Sequence, residues 1–199
     1  MNILVVIGTA RCLNEDIKSL SALMIHRCEE RTVAFMAAGI DAFKFPLPWK
    51  YAATGHYEDL PDIRAYAKDH EIKGYKLIHY EPSPGVDIVV PRETWEGGSS
   101  ALMGVMAGIK EGYKKIVLCG CPMEGPNPGH PGADYSMFQG KWTESVSILH
   151  QYVRSMSGFT MRLLGKPEAW WLYVCRSSSY NGNNGERTRS NIPRYVMGF

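Results

Sequence analysis

No stretch of this chain stays apolar for the roughly 20 residues that a membrane-spanning helix needs, so no span is expected. Neither sign of charge dominates. Lysine and arginine total 22 against 20 acidic residues, a net charge of +2. That leaves no global field for nucleic acid, and at most weak contact through a local basic segment. The opening MNILVVIGTARC lacks a basic leader ahead of a long apolar region, so no signal peptide is expected and a cytoplasmic location follows. Cysteine is scarce: Cys12, Cys28, Cys119, Cys121 and Cys175 are odd in number and lack paired spacing, which suits a reducing compartment. Cys119 and Cys121 form C-x-C with no second ligand pair, an argument for core thiols over structural zinc.

What the chain does have is alternation. Asn2 to Gly8 is a continuous β-branched run ended by glycine, as in a strand buried on both faces. Ile17, Leu20, Leu23 and Met24 then recur at helical spacing over 14–27. RTVAFMAAG predicts a second strand, and a proline-bearing connection leads to a short third one in YAAT. A helix is expected from Leu60 to His70, with Pro61 in its first turn. YKLIHYE and VDIVV read as strands separated by the turn PSPG, and 101–111 as a helix followed by the strand KKIVLC.

Further on, GPNPGHPGADY is too rich in glycine and proline for regular structure and reads as a loop over a strand end. A helix is expected over 142–156, a last strand in GFTMRLLG and a closing helix in PEAWWLYV. Strands alternating with helices predict an α/β, Rossmann-like three-layer domain on a mostly parallel sheet. Residues 1–175 form this one domain, and the polar, basic segment 176–199 is expected to be a flexible tail.

In such sheets ligands sit outside the carboxyl ends of the strands, which directs attention to four places. Gly8-Thr9 lies in the first βα turn; it matches neither G-x-G-x-x-G nor a P-loop, so a plain turn and a nucleotide loop both remain open. Gly97-Gly98-Ser99-Ser100 precedes a helix whose unpaired N–H groups attract anions. Capping alone needs one serine, so the run favours phosphate. Inside that helix, Gly104, Ala107 and Gly108 are best explained by close packing on the sheet.

Thr54 to Asp59 gathers His56, Tyr57, Glu58 and Asp59 after a strand. His56 is a candidate general base or sugar-binding group, or an ordinary surface histidine. Glu58 and Asp59 could hold a divalent metal, but a helix cap is the better reading. The fourth place, from Gly120 onward, leads into the loop that carries His130, Asp134 and Tyr135, which could close over a substrate. Arg154 and Arg162 are either phosphate clamps or surface charges.

Several of these residues resemble the segment shared by family 42 sialyltransferases and the MptE-like, motility-accessory-factor glycosyltransferase group. They are Ser99-Ser100, Gly112-Tyr113, Lys114 to Leu118, Gly120, and Asp134-Tyr135-Ser136-Met137-Phe138. VVIGTARCLNEDI is similar to that group's nucleotide loop, keeping Gly8 and Leu13. Thr54, His56 and Glu58 resemble a Thr-x-His-x-Glu element of its bacteriophage members. Thr9, Arg11 and Cys12 stand where the group has Asn and Pro-Ser, and Pro122 where an Asp is common.

The resemblance implies transfer of a group, most plausibly a sugar, from a nucleotide or nucleotide-sugar donor. Gly8 and Thr9 would contact base or ribose. Gly97, Gly98, Ser99 and Ser100 would hold phosphate, with Gly120 and Tyr135 bordering the site and His56 or His130 accepting a proton. A divalent metal is allowed but not required, and a homo-oligomer is open. The alternatives are a pterin diphosphokinase-like, ATP-dependent enzyme and a non-catalytic phage protein that keeps the fold as a binding module.

Overall fold

The computed structural model describes residues 2–25, 32–127 and 132–168. Its centre is a parallel sheet of seven strands: β1 (Ile3–Ile7), β2 (Val33–Ala38), β3 (Trp49–Ala53), β4 (Lys76–His79), β5 (Ile88–Val89), β6 (Lys115–Cys119) and β7 (Val153–Ser155). They lie in the order β5-β4-β3-β2-β1-β6-β7, and every described pairing is parallel. All five residues of β1 are buried, as expected of a central strand covered on both faces.

The helices are α1 (Leu13–Ile25), α2 (Ile40–Phe43), α3 (Asp59–Asp69), α4 (Ser100–Lys110), α5 (Gln139–Glu144), α6 (Val146–Leu149) and α7 (Gly158–Leu164). Period-two alternation splits β1 between two cores. Ile3, Val5 and Ile7 face the layer of α1, α2 and α3 with Leu13, Leu20, Phe43, Leu60 and Ile63. Leu4 and Val6 face the layer of α4 to α7 with Leu102, Val105, Trp142, Leu149 and Leu164. The result is the three-layer, Rossmann-like α/β architecture expected from the alternation.

α4 packs against β1, β2, β3 and β4, and its glycines permit that closeness. A Cβ on Gly104 would stand 2.5 Å from Met36 Sδ, and one on Gly108 the same distance from Leu4 Cδ2. A larger residue at either position would force Met36 or Leu4 to repack.

The carboxyl-terminal third departs from expectation. The helix foreseen over 142–156 ends at Leu149, and Val153 belongs to β7, where it pairs with Ile116 at the open edge of β6. GFTMRLLG, foreseen as a strand, is the helix α7: Phe159 with Leu163, and Thr160 with Leu164, recur at four-residue spacing and turn inward. Gly158 starts it with φ +66°, against Pro122. β4 and β5 are parallel neighbours joined by a short loop, which Asp87 pins by accepting from Leu77 N through Oδ2 (2.8 Å). Of the closing helix expected in PEAWWLYV only Pro167, in a turn, and Glu168, helical, are described; its remainder and the tail at 176–199 fall beyond the last described residue, 168.

Candidate functional site

Sheet order decides where a ligand fits. From β1 the chain proceeds outward through β2 to β5, then returns to lay β6 on the other side of β1. The connections leaving β1 and β6 therefore diverge to opposite faces at their carboxyl ends, the junction that forms the ligand crevice of open α/β sheets. Four glycines border this edge: Gly8 after β1, Gly39 after β2, Gly55 close behind β3 and Gly120 after β6. Gly8 must be small because a Cβ there would strike Gly120 O and lie 2.7 Å from Cys121 Sγ. Gly120 has φ +65°, and its N–H donates to Asp16 Oδ2 at 2.8 Å.

Over this crevice returns the segment that follows β6. Its two legs pair rather than wander: Pro126 bridges Asp134, Asn127 N donates to Ala133 O, and Tyr135 N donates to Gly125 O. Asp134 accepts from Ser136 N at 2.7 Å and caps a short 3-10 turn over Tyr135–Phe138. The Tyr135 hydroxyl thereby reaches Thr9 Oγ1 at 3.3 Å, joining two residues 126 positions apart. Burial raises the Tyr135 pKa, so the phenol remains protonated at neutral pH and can donate. His130 lies outside the described residues.

Under the same crevice is a polar knot that was not foreseen. Asp16 is only 4% exposed, yet takes hydrogen bonds from Gly120 N and from the Ser157 hydroxyl, each at 2.8 Å. Ser157 Oγ also lies 3.2 Å from Cys12 Sγ. Burial raises the pKa of Asp16 and of Cys12, and the Asp16 carboxylate adds to the rise at Cys12. Cys12 is therefore held as a thiol, not poised as a thiolate. The only trace in sequence was the acidic pair Glu15-Asp16 in the first turn of α1, a common feature of helix starts.

The start of α4 meets the end of β3. Ser99 caps the helix by accepting from Leu102 N at 3.4 Å, and Ser100 Oγ accepts from Gly55 N at 3.1 Å. Gly97 has φ +77°, and a Cβ on Gly98 would lie 2.5 Å from Leu102 Cδ2. Each member of Gly97-Gly98-Ser99-Ser100 thus has a local structural task, a fuller account than capping alone offered. Both hydroxyls still have a proton to donate to an anion.

His56 is exposed beyond β3, with Nδ1 3.5 Å from Glu58 Oε1. Asp59 accepts from Thr54 Oγ1 at 2.6 Å; the position before α3 is Glu58 and no side chain caps the helix, so Asp59 is not the cap expected of it but a tie from α3 to the end of β3. His56 and Thr9 stand at the ends of β3 and β1, with β2 between them. Arg162 pairs with Glu124, while Arg154 donates to the carbonyls of His150 and Val153. Among the described residues, no three His, Cys, Asp or Glu side chains form a metal-binding group, and no helix is long and apolar enough to cross a membrane.

Comparison with protein-family models, with curated proteins and with solved structures found no match to this chain. The fold and the chemistry at its carboxyl edge carry the functional reading.

Proposed function

We propose that the protein binds a nucleotide-type small molecule at the carboxyl edge of its sheet and transfers a group from it, a sugar from a nucleotide-sugar donor. The observation that carries this is the chain reversal between β1 and β6, bordered by Gly8 and Gly120 and spanned by the Tyr135–Thr9 hydrogen bond. The resemblance of the Ser99 to Gly120 block to the MptE-like and sialyltransferase-like group supports the same reading.

Base or ribose then lies against Gly8, Thr9, Gly120 and Tyr135. The phosphate lies toward the start of α4, where the Ser99 and Ser100 hydroxyls and the helix dipole oppose its charge. N–H and O–H donors fixed there stabilise the phosphate as it leaves, and His56, exposed beyond β3, accepts the proton of the attacking hydroxyl. Glu58 and Asp59 are the acids that would hold a divalent metal if the reaction used one.

The test is a thermal-shift panel of nucleotides and nucleotide sugars, followed by product analysis with any that bind. Replacing Ser99 and Ser100 together by alanine is expected to weaken nucleotide binding about tenfold or more. Unchanged affinity removes the phosphate assignment. Binding without turnover would mark a binding module; metal-dependent AMP release would mark an ATP-dependent diphosphokinase.

A further inference from the structure

The least satisfied polar atoms on this edge of the sheet lie one strand beyond the phosphate position. His79 closes β4 and has no exposed surface. Its Nδ1 accepts from Glu81 N at 3.1 Å and also lies 3.4 Å from Glu81 O. Its Nε2 is buried with no hydrogen-bond partner. A buried nitrogen left without a partner is destabilising, which calls for a reason. The shorter contact makes Nδ1 the acceptor and leaves the ring proton on Nε2. Burial lowers the His79 pKa, so the ring is neutral at pH 7.

Around it stand aromatic rings. Tyr80 lies over His79 at 4.2 Å between centroids, Tyr57 meets it edge-on at 5.8 Å, and Tyr80 continues to Trp95 at 5.6 Å. Trp95 Nε1 is a second buried nitrogen without a partner, and its six-membered ring is what a Cβ on Gly55 would strike. Tyr57 is 54% exposed, so its ring can turn outward from His79 without disturbing the core. The nearby acids are Glu58, Asp59 and Glu81; of the cations, Arg92 is paired with Glu96 and lies over the Tyr80 ring, while Arg64 donates to Pro84 O.

We propose that the carboxyl end of β4 is a subsite for an uncharged sugar ring, which stacks on Tyr57 while one of its hydroxyls hydrogen-bonds His79 Nε2. A hydroxyl both donates and accepts, so it satisfies the imidazole in either tautomer. The apolar face of a pyranose matches the aromatic walls, and three neighbouring carboxylates disfavour an acidic sugar. Position agrees with this. The inference rests on the nucleotide reading above, and strands about 4.8 Å apart place β4 roughly 14 Å from β1. Base at β1, phosphate at β3 and sugar at β4 follow the order of those groups in a nucleotide sugar.

The experiment is saturation-transfer NMR on the full chain with UDP-glucose, UDP-N-acetylglucosamine, GDP-mannose and CMP-sialic acid, and with UDP, GDP and CMP alone. The protein is compared with Tyr57→Ala, at an exposed position, and with His79→Phe, once its melting temperature shows it folded. Saturation is expected on the sugar protons of a neutral donor. Tyr57→Ala should abolish that signal, keep the signal on the base, and weaken the donor about five- to tenfold without affecting the free nucleotide. Base signals alone, or sugar signals indifferent to Tyr57→Ala, overturn the sugar subsite and leave the nucleotide reading standing. Preference for CMP-sialic acid overturns the neutral-sugar assignment. Absence of signal from every nucleotide overturns both.

Discussion

Asp16 is buried at the centre of the β1–β6 crevice, with its charge set against burial and its bonds to Gly120, Ser157 and Cys12 set in its favour. Burial is the largest influence, so its pKa stands above the ordinary 3.8. A group that holds its proton more tightly when folded contributes fully below the unfolded pKa. That contribution is lost as pH rises through the folded pKa. Asparagine keeps an oxygen for Gly120 N–H and never carries charge. Asp16→Asn should therefore gain thermal stability relative to the parent as pH rises from about 4 to about 7, with little difference at the acid end. Melting curves across that range decide it; a gap that shrinks with rising pH contradicts the account. Thr9→Val tests the neighbouring latch. Loss of the Tyr135 contact should weaken nucleotide binding several-fold, up to about tenfold, by titration calorimetry while changing stability by no more than about 1 kcal/mol.

At the scale of elements, α4 shows how far local sequence reasoning reaches. Its glycines signalled close packing, and the structure puts Met36 and Leu4 where their side chains would be. Gly108→Ala improves helix propensity by up to about 1 kcal/mol, but it sets a methyl 2.5 Å from Leu4 Cδ2 and 3.1 Å from Ile116 Cδ1. Overpacking costs about 1–3 kcal/mol, so a net loss of up to about 2 kcal/mol in urea denaturation is expected. The end of the chain was less legible. Val146, Leu149 and Val153 fit a helical period, but the edge of β6 takes Val153 into a strand. Strand pairing is a non-local demand that periodicity cannot register.

For the whole molecule, the two ends of the sheet are chemically different. The amino end has a small cavity of about 140 Å³ lined by Asn2, Lys50, Tyr51, Glu111, Gly112 and Tyr113. Its polar groups are bonded to one another: Lys50 Nζ donates to the Tyr113 hydroxyl, and Glu111 accepts from Lys76 and Tyr51. Lys76 is the main reason that the Glu111 carboxyl is held below its usual pKa. The carboxyl end holds the glycines, the latch and the unpartnered His79 nitrogen. Lys50→Met should therefore leave nucleotide affinity unchanged in the titrations that Thr9→Val disturbs. An equal loss from both would place the ligand elsewhere.

The sequence by itself determined the alternation of strands and helices, the burial of β1, the sharp glycine turns after β1 and β6, and the small residues that seat α4. Each is a local consequence of side-chain shape, period or backbone freedom, readable within a few residues. Only the tertiary structure decided the order of the strands, and with it which turns face each other. Thr9 meets Tyr135, Asp16 meets Ser157, and Ser100 meets Gly55 because β6 returns to the far side of β1. The unpartnered nitrogen of His79 belongs to the same class of fact. Whether a buried polar atom has a partner depends on what the rest of the chain brings to it, and no local pattern records that.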